Sequence, residues 1–127
     1  GNGAPDAPPV AVLYLSSLFP SKGWPAVIDA AERFHRDGDD RVRFTIAGAA
    51  PTPEIRGEVE AAAARLPNVT FVGEVSGSQR VDLLRSADVV AVPTSYPYEG
   101  QPLVILEAYA SGCAVVATDH AGQRMIA

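Results

Sequence analysis

Two carboxylates and one ammonium have the spacing and setting in this chain that could do chemistry. Glu99 and Glu107 bracket the run Tyr96-Pro97-Tyr98-Glu99-Gly100-Gln101-Pro102-Leu103-Val104-Ile105-Leu106-Glu107. Gly100 and Pro102 between them shape a backbone turn that a ligand can approach closely. Pro102 suits the first position of a helix, where its missing N–H is no loss. The amides of Leu103 and Val104 are then unpaired donors at the positive end of that helix, a place where a phosphate can sit. Free carboxylates repel phosphate. Glu99, on the loop, and Glu107, more than a turn inside the helix, are therefore expected to accept hydrogen bonds from hydroxyl groups on either side of it. Phosphate-binding amides between two hydroxyl-binding acids fit a sugar–phosphate–ribose ligand. Two alternatives stand beside this one: a catalytic acid/base pair, and two ordinary acids favoured near a helix N-terminus by the dipole alone.

Lys22 is the only lysine in the chain and closes a polar loop, residues 16–23 (SSLFPSKG). Its ammonium, a compact point charge with three donors, could meet a phosphate; a solvated loop lysine is the plain alternative. Neither G-x-x-x-x-G-K-[ST] nor G-x-G-x-x-G occurs. In the turn-rich stretch Gly73-Glu74-Val75-Ser76-Gly77 a flat nucleobase could lie against Val75, although an ordinary strand-to-helix turn would read the same. Tyr96 and Tyr98 could line a sugar pocket or pack their loop. His120 reads as a loop residue, and Cys113 as inert packing at the start of a strand.

The elements that must position these residues alternate. Continuous apolar runs at 10–15 (VAVLYL), 42–47 (VRFTIA), 69–72 (VTFV), 88–92 and 113–117 (CAVVA) read as strands covered on both faces. Between them, helices are expected at about 24–36, 54–66, 79–86 and 102–111. The first carries Val27, Ile28, Ala31 and Phe34 on one stripe and ends at Gly38, a left-handed cap. Ser78 is the expected cap of the third helix, Gly112 ends the fourth, and residues 123–127 look like the start of another. Strands alternating with helices at this spacing predict an α/β fold, an open parallel Rossmann-like sheet with helices on both faces. In such sheets ligands bind outside the carboxyl ends of the strands, where the strand order reverses. The loops at 16–23, after Ala47, at Gly73 and at 96–101 would share that edge.

Composition narrows the function classes. The 127 residues fit one domain with a core, and an apolar fraction of 47% with 20% charged residues is that of a soluble globular protein. A net charge of −5 without a basic run argues against nucleic-acid binding. No apolar stretch approaches the ~20 residues of a membrane span, and the start lacks a basic-plus-apolar signal segment. A single cysteine excludes an internal disulfide and suits a reducing cytosol. His35 and His120 are far apart and no C-x-x-C or H-x-x-x-H occurs, so no metal site is expected. Residues 1–9 (GNGAPDAPP) read as a linker or expression remnant, and residues 10–127 as a domain cut short at its C-terminus.

The segments LSSLFPSKG, FTIAG, PNVTFVGEV and LLRSADVVAVPTSYPYEGQPLVILEAYASGCAVVATDHAG, in this order and spacing, resemble the C-terminal, donor-binding domain of a GT4-type retaining glycosyltransferase. The resemblance covers nearly all of residues 10–127 and is most specific in the E-x₇-E frame of Glu99 and Glu107. It implies one half of a GT-B two-domain fold. It also implies a hexosyltransferase that moves a sugar from a nucleotide diphosphate sugar to an acceptor glycan or lipid-linked sugar, with no cofactor and no metal. Lys22 and Glu99 would be its catalytic residues, Lys22 on the donor diphosphate and Glu99 on the sugar hydroxyls. Ser17, Gly100, Gln101, Leu103 and Val104 would border sugar and phosphates, Glu107 would hold the ribose, and Gly73 and Val75 would border the base. The resemblance further implies an N-terminal domain absent from these residues, without which the chain would be inactive. A cytoplasmic location follows, with membrane association through that other domain left open. Two departures from the family pattern stand out. Ser16-Ser17 occupies the region where many relatives carry an arginine before the lysine, and Gln123-Arg124-Met125 the region where many carry a carboxylate. The alternatives to this reading are a sugar-nucleotide epimerase or phosphorylase of the same architecture, a glycoside hydrolase using both acids, and a non-catalytic nucleotide-binding or scaffolding domain.

Overall fold

The computed structural model describes residues 8–94, 114–119 and 125–126, with side chains through residue 92. Its elements run β1 (Val10–Leu15), a 3-10 turn (Pro20–Lys22), α1 (Trp24–Arg36), β2 (Val42–Ala47), α2 (Pro53–Arg65), β3 (Val69–Gly73), α3 (Gly77–Ser86), β4 (Val89–Thr94), β5 (Ala114–Asp119) and β6 (Met125–Ile126). The strands form one sheet in the order β3-β2-β1-β4-β5-β6. β1 through β5 are parallel, as expected of a doubly wound Rossmann-like sheet. The expected helix at 102–111 lies outside the described residues.

Alternation along the strands divides the core. Tyr14 of β1, Phe44 and Ile46 of β2 and Val69 of β3 point to one face, where they meet Trp24, Val27, Ile28 and Ala31 of α1 and Val59 and Ala62 of α2. Leu13 and Leu15 of β1, with Val90 and Val92 of β4, point to the other and meet Leu84 of α3. Helices thus cover both faces. The stripe of α1 is the expected one, and its end is closed by Gly38, whose φ of 69° is the left-handed cap read from the sequence.

Two expectations are corrected. Residues 125–126 form a strand rather than a helix, pairing antiparallel with β5 through Ala117 and Thr118. A short antiparallel strand of this kind covers the row of unpaired backbone groups that β5 would otherwise present. The cap of α3 is Ser76, not Ser78: the Ser76 N–H donates to Oε1 of Gln79 at 3.2 Å, one half of a capping box. The helix consequently begins two residues earlier, at Gly77.

Register is pinned at both ends of the central strands. At the amino end Asp88 joins β4 to β1, its N–H donating to the Ala11 carbonyl and its carboxylate accepting from the Ala11 N–H, each at 2.8 Å. At the carboxyl end the peptide after β1 runs against Gly48. A Cβ on Gly48 would stand 1.8 Å from the Ser16 carbonyl oxygen, a backbone atom that has no rotamer with which to retreat. Gly48→Ala is therefore expected to cost about 3 kcal/mol, at the upper end of ordinary overpacking, as read by urea unfolding.

Before β2, Arg41 closes on Asp39, its Nη2 donating to Oδ2 at 2.7 Å. The hydrogen bonds from the Arg41 side chain and backbone hold the Asp39 carboxyl at about 2, below its ordinary 3.8. A depressed carboxyl contributes stability above its unfolded value and loses it as the pH falls through the folded one. The contribution of this pair should be constant above about pH 4 and fade toward about pH 2. Acid unfolding followed by circular dichroism should show Asp39→Asn flattening that limb.

Candidate functional site

The sheet parts where its strand order reverses. β1 and β4 pair from Val12 and Val89 only as far as Tyr14 and Ala91. Beyond that point β1 stays with β2: the Ser16 N–H donates to the Ala47 carbonyl and the Leu18 N–H to the Ala49 carbonyl, both at 3.0 Å. β4 instead stays with β5 as far as Thr94 and Asp119. Two strands that separate at their carboxyl ends open a crevice, the usual ligand position in sheets of this kind.

The loop after β1 borders this crevice and is tied down residue by residue. The Tyr14 hydroxyl donates to the Ser17 carbonyl at 2.8 Å, and the Trp24 indole N–H to the Leu18 carbonyl at 2.9 Å. The loop then turns through Pro20–Lys22, with the Lys22 N–H donating to the Phe19 carbonyl at 2.8 Å. Gly23 ends the turn at φ 95° and, at the same time, caps α1, its carbonyl accepting from Ala26. That left-handed conformation is why a glycine follows the lysine. The turn lies beside β4. Lys22 and Ser17 are both half-buried, so the structure brings these two expected site residues to one side of the crevice. The segment carrying Glu99 leaves β4 directly after Thr94. Glu99, Gly100, Gln101, Leu103, Val104 and Glu107 themselves lie outside the described residues, as do Tyr96, Tyr98, Cys113 and His120.

Farther along the same edge, a cleft of about 660 Å³ opens at the carboxyl ends of β2 and β3. The loop after β2 forms one wall, and Phe71, Gly73 and Glu74 form another. Gly73 turns the chain at φ 75° while its carbonyl accepts from the Gly48 N–H at 2.8 Å. Of the two residues expected beside the base, Gly73 lines this cleft and Val75 packs against the core on the α3 side. Arg56, not among the expected site residues, lines the cleft from the start of α2. The available signal was Thr52-Pro53: the Thr52 hydroxyl caps the helix by accepting from the Ile55 N–H at 3.1 Å, which puts Arg56 near the loop. Its Nε meets Glu60 at 3.1 Å in an exposed pair of little energetic weight. Among the described residues no cluster of His, Cys, Asp and Glu could hold a metal, and no helix is long and apolar enough to cross a membrane.

The family model described as "Glycosyl transferases group 1" matches residues 9–127. The chain belongs to that family. It is similar to a phosphatidyl-myo-inositol mannosyltransferase of Mycobacterium tuberculosis, 34% identical over 109 residues that make up 85% of this chain and 28% of that protein. The fold matches that of Anabaena HepE, solved with UDP-glucose, with a TM-score of 0.67 and 25% identity over 86% of this chain and 29% of that one. It also matches the C-terminal domain of LpcC, a glycosyl transferase group 1 protein of Francisella tularensis, with a TM-score of 0.61 and 25% identity over 87% of this chain and 58% of that one. The chain therefore spans well under half the length of the mannosyltransferase it matches.

Tyr14 gives the site a measurable signature. Burial raises its phenol above the ordinary 10.0, so the hydroxyl stays a donor throughout the physiological range. A raised group contributes stability in full below its unfolded value and loses it as the pH rises toward the folded one. The chain should accordingly lose stability above about pH 10. Tyr14→Phe should remove part of that loss, measured as urea midpoints through the alkaline range.

Proposed function

We propose that this chain is the donor-binding half of a GT4-type retaining glycosyltransferase that moves a sugar from a nucleotide diphosphate sugar to an acceptor hydroxyl. The observation that carries the reading is the parting of β1 and β4, with Lys22 held at its side and the Glu99 segment issuing from β4. Nucleotide-sugar binding in a related fold supports it, since HepE was solved with UDP-glucose.

In this reading the Lys22 ammonium meets the donor diphosphate and stabilises the charge that grows on the leaving nucleoside diphosphate. The amides of Leu103 and Val104 take the phosphates at the helix end, with Gly100 and Gln101 close to the sugar. Glu99 accepts from sugar hydroxyls and Glu107 from the ribose. The base lies near Gly73. Positive charge develops on the sugar and negative charge on the departing phosphate, so preorganised donors aimed at that phosphate supply the main acceleration, without a metal. An N-terminal domain supplies the acceptor contacts and remaining groups, and the chain alone does not turn over. The acceptor is a glycan or a lipid-linked sugar, and the protein works in the cytoplasm.

Isothermal titration with UDP, GDP and ADP tests the reading. Binding of at least one is expected, and Glu107→Ala should weaken it by ~10-fold or more, the loss of a hydrogen bond to a charged group. Failure of all three to bind would remove the donor-site assignment. Steady-state sugar transfer by the chain alone would remove the need for a second domain.

A further inference from the structure

We propose that Tyr14 and Trp24 are positioning residues, whose side-chain donors fix the loop that presents Lys22 to the donor diphosphate. The inference rests on the donor-site reading above and adds to it two residues that lie beneath the site.

Side-chain donors from the two elements that flank the loop hold two successive carbonyls. Tyr14, on β1, takes that of Ser17, and Trp24, the first residue of α1, takes that of Leu18. On the opposite side the Ser16 and Leu18 N–H groups are bound by Ala47 and Ala49. Residues 16–18 are therefore gripped from both edges. From Leu18 the path to Lys22 is a tight turn, closed by the Lys22 N–H on Phe19 and the Gly23 N–H on Pro20. Four residues of closed turn leave little freedom between the gripped segment and the lysine.

Packing alone does not require these side chains. Tyr14 is 1% exposed and Trp24 6%, both within the same apolar core. Phenylalanine or leucine would satisfy such surroundings without the cost of burying a hydroxyl or an indole N–H. Each polar atom is directed at a loop carbonyl, so what the tyrosine and tryptophan add to the core is a hold on the loop. The hold matters because Lys22 is the one charged side chain in residues 16–23. A single cation cannot share the diphosphate with a second on the same loop, and a small displacement of a positioned group can cost a large factor in rate.

The experiment is a double-mutant cycle read by two ligands. The chain, Tyr14→Phe, Lys22→Ala and the double variant are titrated, by calorimetry or NMR, with UDP, GDP and ADP and with the matching nucleosides. Tyr14→Phe is expected to weaken the preferred diphosphate by about 3- to 10-fold, the worth of one hydrogen bond. It should leave nucleoside affinity unchanged and add nothing once Lys22 is alanine. Trp24→Phe should behave alike and supplies the same comparison if Tyr14→Phe unfolds. Equal losses for diphosphate and nucleoside would mark the two residues as general core and overturn the proposal. So would a loss that persists undiminished beside Lys22→Ala. If the unaltered chain binds no nucleoside diphosphate, the donor-site reading fails first and takes this inference with it. If it binds and Tyr14→Phe binds equally, only the inference fails.

Discussion

The peptide after β1 and the peptide after β2 pass so closely that the Gly48 position has no room for a side chain. Much of the described site depends on that contact. It lets the Ser16 and Leu18 N–H groups reach carbonyls at the end of β2 and just past it, so the β1 loop follows its neighbour instead of rising into solvent. The same glycine donates to the carbonyl of Gly73 and so sets the end of β3. One small residue thereby links the loop that carries Lys22 to the strand end that borders the 660 Å³ cleft. A change there would shift both features together.

The parting of β1 from β4 is the second consequence of this arrangement. A strand has two edges, and near its carboxyl end β1 spends its remaining backbone groups on the β2 side, while β4 continues on the β5 side. Asp88 keeps the two strands together at the opposite end. A sheet closed at the amino end and open at the carboxyl end has a ready cleft without needing any side chain to line it. Function can then be placed on the loops, while the two cores formed by α1 and α2 on one face and α3 on the other keep the strands fixed.

Local pattern carried much of this fold into view. The bounds of β1, α1 and β2 are those expected from the sequence, because each apolar pattern is clear and the residues that follow, Ser16, Asp37 and Gly48, break it. The signal for the cap of α3 lies in the sequence as well: Gln79 stands three residues after Ser76, the spacing of a capping box, which Ser78 lacks. β6 was not legible, since two residues carry no periodicity and their conformation is set by the edge they cover. The holds on the β1 loop were hidden for a different reason. Tyr14 and Trp24 read as apolar core residues, which they are; the direction of their polar atoms depends on the path of a loop that strand register decides. Lys22 was picked out by its type, but its place beside β4 follows from strand order, and no local window contains that.

Charge explains why placement should matter so much in this family member. The chain carries a net charge of −5, so its overall field does not draw in an anionic ligand. At physiological ionic strength that field is screened beyond ~8 Å, and an unfavourable net charge is therefore survivable if the short-range contacts are strong. Such contacts have to be made by groups whose positions are settled before the ligand arrives, because a mobile ammonium would lose in ordering much of what it gains in attraction. A lysine on a turn closed by backbone hydrogen bonds, on a loop fixed at both edges by its neighbours, meets that requirement. With Ser16-Ser17 in the loop in place of a second cation, rigidity is, in the proposed reading, the means left to this loop for making one positive charge effective.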